Sequence, residues 1–376
     1  SINGIGKFFM SYINKISYQI YKVEKKPYRQ MLDELFSHLD VKQAVLRIVL
    51  FGEVVSKDDY MWRFAQFRRK AEEYFQGALP VVTFVAQKPL DAELVLEVHG
   101  YMSEGNDRLE YKSYEGFPYV VLTNECGRFL YAGGVCVSFD SDIYTQSKEV
   151  FRVLECILNR EKFPVGSIVR QWNYIDGITA FDNNGDQHYQ MFNNARSEFY
   201  LSDTWKNGYP AATGIGTRGG GVIVDVDAAM AKEASFSILP IDNELQVAAY
   251  SYSGSVLEKA DTGKTTPKFE RAKSLHTGDC CMMYLSGTAA IRGEVSLAEA
   301  DVVAQLRITL ENIRHLIGDV SMKLLRVYLK NESDYNRVHD SLEREGICIS
   351  YLLADVCRDE LLIEIEGIAW CSFGRE

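Results

Sequence analysis

The chain has 376 residues, 47% of them hydrophobic and 25% charged, with a formal net charge of −11. That length and apolar content suit about two domains with a substantial core, so neither a metal nor a disulfide is needed to hold the fold. Basic and acidic residues are intermixed, which argues against the positive face that nucleic-acid binding requires, while a few local arginines can still bind a small anion. The eight cysteines include no C-x-x-C pair, and most sit in apolar runs. The pattern fits reduced thiols in a cytoplasmic protein rather than a zinc ribbon or a disulfide framework.

In chain order, Ser1–Tyr21 is mildly apolar but interrupted by Lys7 and Lys15, and has neither a signal-peptide core nor a small-residue cleavage site. An opening Ser suits a fragment, and no stretch reaches the ~18 apolar residues of a membrane span. Val45–Leu50 reads as a strand, Asp58–Phe75 as a charged helix, and Val81–Ala86 and Glu93–Gly100 as two more strands. Thr145–Leu158 is an amphipathic helix through Val150, Phe151, Leu154 and Ile157. A division near Lys162-Phe163-Pro164 separates domains of residues 1–162 and 163–376. Gly219–Gly221 and Ser251–Thr266 read as loops. Leu297–Ile317 carries Val302, Leu306, Leu310, Ile313 and Ile317 on one face and ends at Gly318, the position of a C-cap glycine. Leu324–Leu329 is a strand, Asp334-Tyr335 opens a helix, and Glu360–Gly367 is a last strand.

The two ends of the chain therefore repeat one order of strand, helix, strand, strand. Each copy opens on Leu-Arg-(Ile/Val) and closes on Glu-Leu-x-x-Glu-x-x-Gly. Helices mixed with adjacent strands imply an α+β fold, with helices packed on one face of mixed sheets.

Several nucleotide and metal motifs fail on inspection. Thr262-Gly263-Lys264-Thr265 lacks the earlier P-loop glycine, because Glu258 stands there. Gly214, Gly216 and Gly219 spell G-x-G-x-x-G, but what precedes reads as no buried strand and Val222–Val226 reads as a strand where a helix is required. Asp182–Asp186 has Gln187 where a calcium loop needs glycine. The histidines have no metal-ligand spacing, and there is no G-x-S-x-G elbow. Neither a metal nor a cofactor is expected.

What remains is a set of anion-binding and acid groups. Arg196 and Tyr200, four apart on a helix, can hold a carboxylate between a guanidinium and a phenol; a surface arginine packed on tyrosine has the same spacing. Pro210–Thr217, with Thr213 and Gly214, offers backbone N–H groups to a ligand or forms a plain tight loop. Arg271 lies between a loop and a strand, as a ligand group or a solvated charge. Glu364 shares a strand face with Leu362 and Glu366; burial would raise its pKa and make it a usable acid. Glu97 holds the matching place in the first copy, so this carboxylate can equally be architectural.

Taken together, Trp172-Asn173-Tyr174, Phe192–Tyr200, Pro210–Gly216, Pro267–Ala272, Ser286–Ala289, Ala304–Ile313 and Ala354–Glu366 resemble the chorismatases, distant relatives of the reactive-intermediate deaminases. The likeness is strong over Gln171–Gly367 and general before residue 160. It implies two degenerate YjgF/RidA-like (chorismate-mutase-like) repeats packed as a monomer, and cofactor-free release of pyruvate from chorismate. By the same resemblance Glu364 is the acid that protonates the enol ether. Arg196, Tyr200 and Arg271 anchor the carboxylates of chorismate or a similar aromatic acid, with Thr213 and Gly214 lining the site. Cys357 matches the branch that forms 3-hydroxybenzoate, whereas Ala272 matches the branch that forms a dihydroxycyclohexadiene carboxylate. The alternatives are a non-catalytic binder of small carboxylates and an imine deaminase. The latter generally carries Pro-Ala-Arg where this chain has Leu353-Ala354-Asp355.

Overall fold

The structure, a computed structural model, describes residues 12–137, 139–232, 236–241, 268–278, 280–292, 295–296, 301–318, 320–342 and 346–372. The loop expected at 251–266, with its Thr262–Thr265 motif, and the start of the helix expected from Leu297 lie outside these residues.

The first unit runs α1 (Tyr12–Lys15), β1 (Ile16–Val23), α2 (Tyr28–Ser37), β2 (Ala44–Gly52), α3 (Lys57–Phe75), β3 (Val81–Val85), β4 (Lys88–Pro89) and β5 (Leu94–Tyr101). The second runs β6 (Arg108–Tyr114), β7 (Phe117–Asn124), β8 (Gly127–Cys136), α4 (Ile143–Arg160), β9 (Ile168–Asp176), α5 (His188–Tyr200), β10 (Ala211–Thr217) and β11 (Val222–Ala231). The third runs β12 (Ser237–Ile241), β13 (Ala272–Thr277), β14 (Cys280–Thr288), the short ribbon β15 (Ile291–Arg292) and β16 (Val295–Ser296), α6 (Val302–Ile317), β17 (Ser321–Leu329), α7 (Tyr335–Leu342), β18 (Cys348–Leu353) and β19 (Ile363–Ser372).

The sheets are ordered β1-β5-β2-β3, β10-β9-β11-β8-β7-β6 and β12-β13-β14-β19-β17-β18-β4. β2 with β3, β9 with β10 and β17 with β18 are parallel pairs, each joined through a helix, and β5, β11 and β19 run antiparallel beside them. This is one topology written three times. The first and third copies are the repeats legible at the chain ends, and the α+β expectation holds. The middle copy adds a further repeat, and the first lacks the two opening strands of the others. Phe163 falls between α4 and β9, so a division there would separate β8 from β11, its hydrogen-bonded neighbour.

The helices pack as their apolar faces dictate. α4 buries Val150, Phe151, Leu154 and Ile157, starts at the Asp142 cap and covers the middle sheet. α6 starts at the Asp301 cap, buries Val302, Leu306 and Ile313 on the third sheet, and ends at Gly318. Contrary to the loop expected at Pro210–Thr217, Ala211–Thr217 is a buried strand. Its small residues, poor strand formers alone, are held by parallel pairing with β9. Among the described residues no helix is long and apolar enough to cross a membrane.

Where the sheets meet, the units are tied by buried charge. Arg47, Arg170 and Arg326 hold one register position in β2, β9 and β17, opposite His99, Asp227 and Glu366 respectively. Each reaches into the next unit. Arg47 donates to Asp227 at 2.5 Å and lies 3.4 Å from Asp225. Arg170 donates to Glu366 at 2.6 Å. Arg326 clasps Glu97 with two bonds of 2.9 and 2.5 Å, closing the ring. All three guanidinium groups lie within 6 Å of the Trp172 ring, at 5.1, 4.6 and 5.7 Å.

Removing one partner of a buried pair strands the other charge, at a cost of about 3–5 kcal/mol. Arg326→Leu, which strands Glu97, should lower stability by that amount in urea denaturation. A loss below about 1 kcal/mol would show that the ring contributes little net cohesion.

Candidate active site

The threefold repetition supplies an internal comparison for Glu364. Two register places from each arginine stand Val49 opposite Glu97, Trp172 opposite Asp225 and Tyr328 opposite Glu364. These three acids therefore occupy equivalent positions. Glu97 is clasped by Arg326 and receives His99 at 2.7 Å. Although burial opposes it, Arg326 holds the Glu97 carboxyl well below the usual carboxylate range. Asp225 accepts the Gly134 N–H at 2.7 Å and the Thr83 hydroxyl at 2.9 Å.

Glu364 is treated differently. It is only 5% exposed, yet its Oε2 has no hydrogen-bond partner among the described residues. Burial, reinforced by the charge of Glu366, pushes its pKa up to about 8, against the opposing pull of Arg170 and Arg271. Gly287 makes room for it, since a Cβ there would lie 2.7 Å from Oε2. Cys357 is close by and partly buried. Burial first, then the Glu364 charge, push its thiol up to about 12, so it stays protonated at neutral pH.

The same junction differs in its filling. The residue after the Thr83 position is Phe84 in the first unit, Gly214 in the second and Leu353 in the third. Phe84 stacks on Tyr60 with centroids 5.0 Å apart, whereas Gly214 leaves only the Tyr189 ring nearby, 2.9 Å from where a Cβ would stand. In both units an aromatic ring packs against this position, Tyr60 on Phe84 and Tyr189 over Gly214. Thr213 is buried and its hydroxyl oxygen accepts from Arg170 at 2.8 Å.

α5 forms the flank. Arg196 is 1% exposed, donates to Asn193 at 2.6 Å and stacks on Phe192, and no carboxylate lies within ion-pair distance among the described residues. This separates it from Arg47, Arg170 and Arg326, all buried against acids. Tyr200 does lie near Arg196, but its hydroxyl donates to Gln171 at 2.5 Å. Lys268 sits beside Arg196, and its pKa is lowered by burial and by that neighbouring charge. Arg271, buried, faces Glu364 and Cys357. A stretch of three residues spans at most about 10 Å, so the short segment from Lys268 to Arg271 links the α5 flank to the acid.

Spacing alone does not point to Arg170, Lys268, Gly287 or the three donors that hold Glu366, Arg170, Trp172 and Tyr328. The available signal was an arginine in the middle of an apolar strand, which must find a buried partner. Among the described residues no cluster of His, Cys, Asp and Glu could hold a metal ion.

Comparison with known proteins bears on family and fold. Residues 120–228 match the family described as chorismatase FkbO/Hyg5-like, N-terminal. A 3-hydroxybenzoate synthase of Streptomyces hygroscopicus is 32% identical over 231 residues, covering 55% of this chain and 65% of the relative. A chorismatase of Streptomyces rapamycinicus is 30% identical over 223 residues, covering 54% of this chain and 64% of the relative. Each match thus spans slightly less than two thirds of the curated relative. A chorismatase crystal structure superposes with a TM-score of 0.67 at 22% identity, over 94% of this chain and 98% of that one, so the fold is shared across nearly the whole length. The chorismatase resemblance read from residues 171–367 is borne out, and the family match extends it back to residue 120.

A folded carboxyl near pKa 8 binds a proton that the unfolded chain releases at about 4.3. Its contribution to stability is complete below the unfolded value and is lost as pH rises to about 8. Glu364→Gln should therefore be the more stable protein at pH 9, by a few kcal/mol, with the gap closing toward pH 5. Urea denaturation at both pH values checks this; equal gaps would mean that Glu364 titrates normally.

Proposed function

We propose that the chain is a cofactor-independent chorismatase, cleaving chorismate to pyruvate and a ring acid, with 3-hydroxybenzoate favoured. The observation that carries this reading is Glu364: a buried carboxyl whose Oε2 has no hydrogen-bond partner among the described residues, its pKa raised by burial to about 8, at a junction whose equivalent acids Glu97 and Asp225 are hydrogen-bonded.

The chemistry follows from that proton. Chorismate carries an enolpyruvyl ether and two carboxylates. Protonation of the terminal methylene carbon by Glu364 breaks the C=C π bond and leaves an oxocarbenium ion on the former vinyl carbon. Water can add there, collapse of the hemiketal then releasing pyruvate and the diol, with Glu364 regaining a proton. Alternatively the adjacent ring hydroxyl adds, its proton returning to Glu364. Cleavage of that oxygen's bond to the ring with loss of the neighbouring ring hydrogen aromatises the ring, and the hemiketal left on the ether oxygen opens to 3-hydroxybenzoate and pyruvate with no net gain of water. A placed acid of matched pKa is worth about 10²–10⁴-fold.

Arg271, on the Glu364 side, and Arg196, on the α5 side, take the two carboxylates. Tyr200 orients its flank through Gln171, and Thr213 and Gly214 line the strand edge between them. Fixing both anions turns the ether toward Glu364, where proximity gains arise. Cys357, beside the acid and uncharged, favours the 3-hydroxybenzoate outcome by presenting a protonated thiol rather than a second anion. The reduced cysteines support a cytoplasmic setting, and the ring closed within one chain supports a monomer.

Incubation with chorismate should release pyruvate together with one aromatic or diol acid, separable by chromatography. Glu364→Gln should lower kcat by at least about 10²-fold with folding intact. Absence of pyruvate from the folded parent protein, or full activity in Glu364→Gln, would overturn the assignment. Turnover of an imine instead of chorismate would indicate a deaminase.

A further inference from the structure

Glu364 and Glu366 point to the same face of β19, two residues apart, and differ completely in their surroundings. Glu366 accepts from Arg170 at 2.6 Å, from Trp172 Nε1 at 2.8 Å and from the Tyr328 hydroxyl, with Arg326 at 3.6 Å. Both of its oxygens thus receive donors. Glu364, on the same face, has one oxygen with no donor at all among the described residues. We propose that Glu366 is a positioning residue: held by Arg170, Trp172 and Tyr328 on the same strand face, it sets the charge around Glu364 and so prepares Glu364 to act as an acid. The inference rests on the acid role given to Glu364 above and adds what maintains it.

The first unit supplies the contrast, whereas the middle unit keeps two acids, Asp225 and Asp227, both beside Arg47. In the first unit, the residue two places beyond Glu97 is His99, not an acid, and Glu97 is ionised in the grip of Arg326. In the third unit, Arg326 has turned away to Glu97, and Glu366 is left beside Glu364. The groups facing Glu364 are Glu366 on its own strand, Tyr328 on β17, Arg170 on β9, Arg271 before β13 and Cys357 before β19; β14 contributes Gly287. The two arginines favour ionisation and Glu366 opposes it, more strongly than either.

The test is the titration of the Glu364 carboxyl itself, followed by the infrared carbonyl band that is missing in Glu364→Gln. In Glu366→Gln the midpoint should fall by about one unit or more. Both changes act in that direction, since the opposing negative charge is gone and Arg170 has lost its counter-ion. Glu366→Asp, which keeps the charge, should hold the midpoint near that of the parent protein. If Glu366→Gln does not fold, Arg170→Gln with Glu366→Gln removes the pair together, and the midpoint should still fall, by less.

An unmoved midpoint in the folded variants would overturn the inference, even where Glu364→Gln remains inactive and the acid assignment stands. A purely structural Glu366 would lower the denaturation midpoint without moving the titration. Loss of the acid assignment would show separately, as full activity in Glu364→Gln.

Discussion

Three arginines around one tryptophan hold the molecule together. Arg47, Arg170 and Arg326 come from equivalent strands of three units, and each finds its carboxylate in the next unit. Burying such groups singly is costly, because an unpaired charge in a low dielectric loses several kcal/mol of hydration, about 3–5 kcal/mol when one partner is removed. The requirement is therefore mutual: no unit can bury its arginine without the next. Trp172 offers its face to all three cations and its indole N–H to Glu366, so it both screens their repulsion and fixes one acceptor. The apolar clusters explain why each helix pair lies on its own sheet; the charge ring explains why the sheets adopt one mutual arrangement.

Repetition with divergence accounts for the single candidate site. Three equivalent junctions exist, each with an acid on the third core strand and a small set of groups from the preceding unit. At one, Glu97 is consumed by Arg326. At another, Asp225 is consumed by Thr83 and the Gly134 N–H, with Phe84 and Tyr60 stacked alongside. At the third, Gly214 replaces the bulky residue, Gly287 yields space, and Thr213 is drawn to Arg170. Among the described residues no donor then reaches Glu364 Oε2. A position used twice for cohesion is left chemically open where the chain also supplies Arg196 and Arg271, so the same carboxylate is architectural in two units and available in one.

This pattern also decides what was legible. The end units could be matched because they keep Leu46-Arg47 and Leu325-Arg326 at one end and Glu97-x-x-Gly100 and Glu364-x-x-Gly367 at the other. That pairing put Glu364 opposite Glu97 before any coordinates. The middle unit escaped because its arginine follows Val169, its acids are Asp225 and Asp227, and Gly214 and Gly216 weaken the strand signal of β10. A parallel strand between a paired neighbour and the adjoining unit needs no propensity of its own. The acid's surroundings were unreadable for a related reason. Whether Glu364 is solvated or buried depends on Gly287 and Arg170, 77 and 194 positions away along the chain.

The cost of such a site follows from the same electrostatics. Burying Glu364 without a full set of partners is tolerable only while it carries its proton, for a neutral carboxyl loses far less on desolvation than a carboxylate. The ring supplies that condition indirectly. By engaging Arg326 with Glu97 and Arg170 with Glu366, it ties down two of the nearby cations, and it leaves the Glu366 carboxylate two residues away on the same strand face. Cohesion and the environment of Glu364 are thus linked through one arrangement of charge: the pairs that lock the units together also commit Arg170 and Arg326 to other acids.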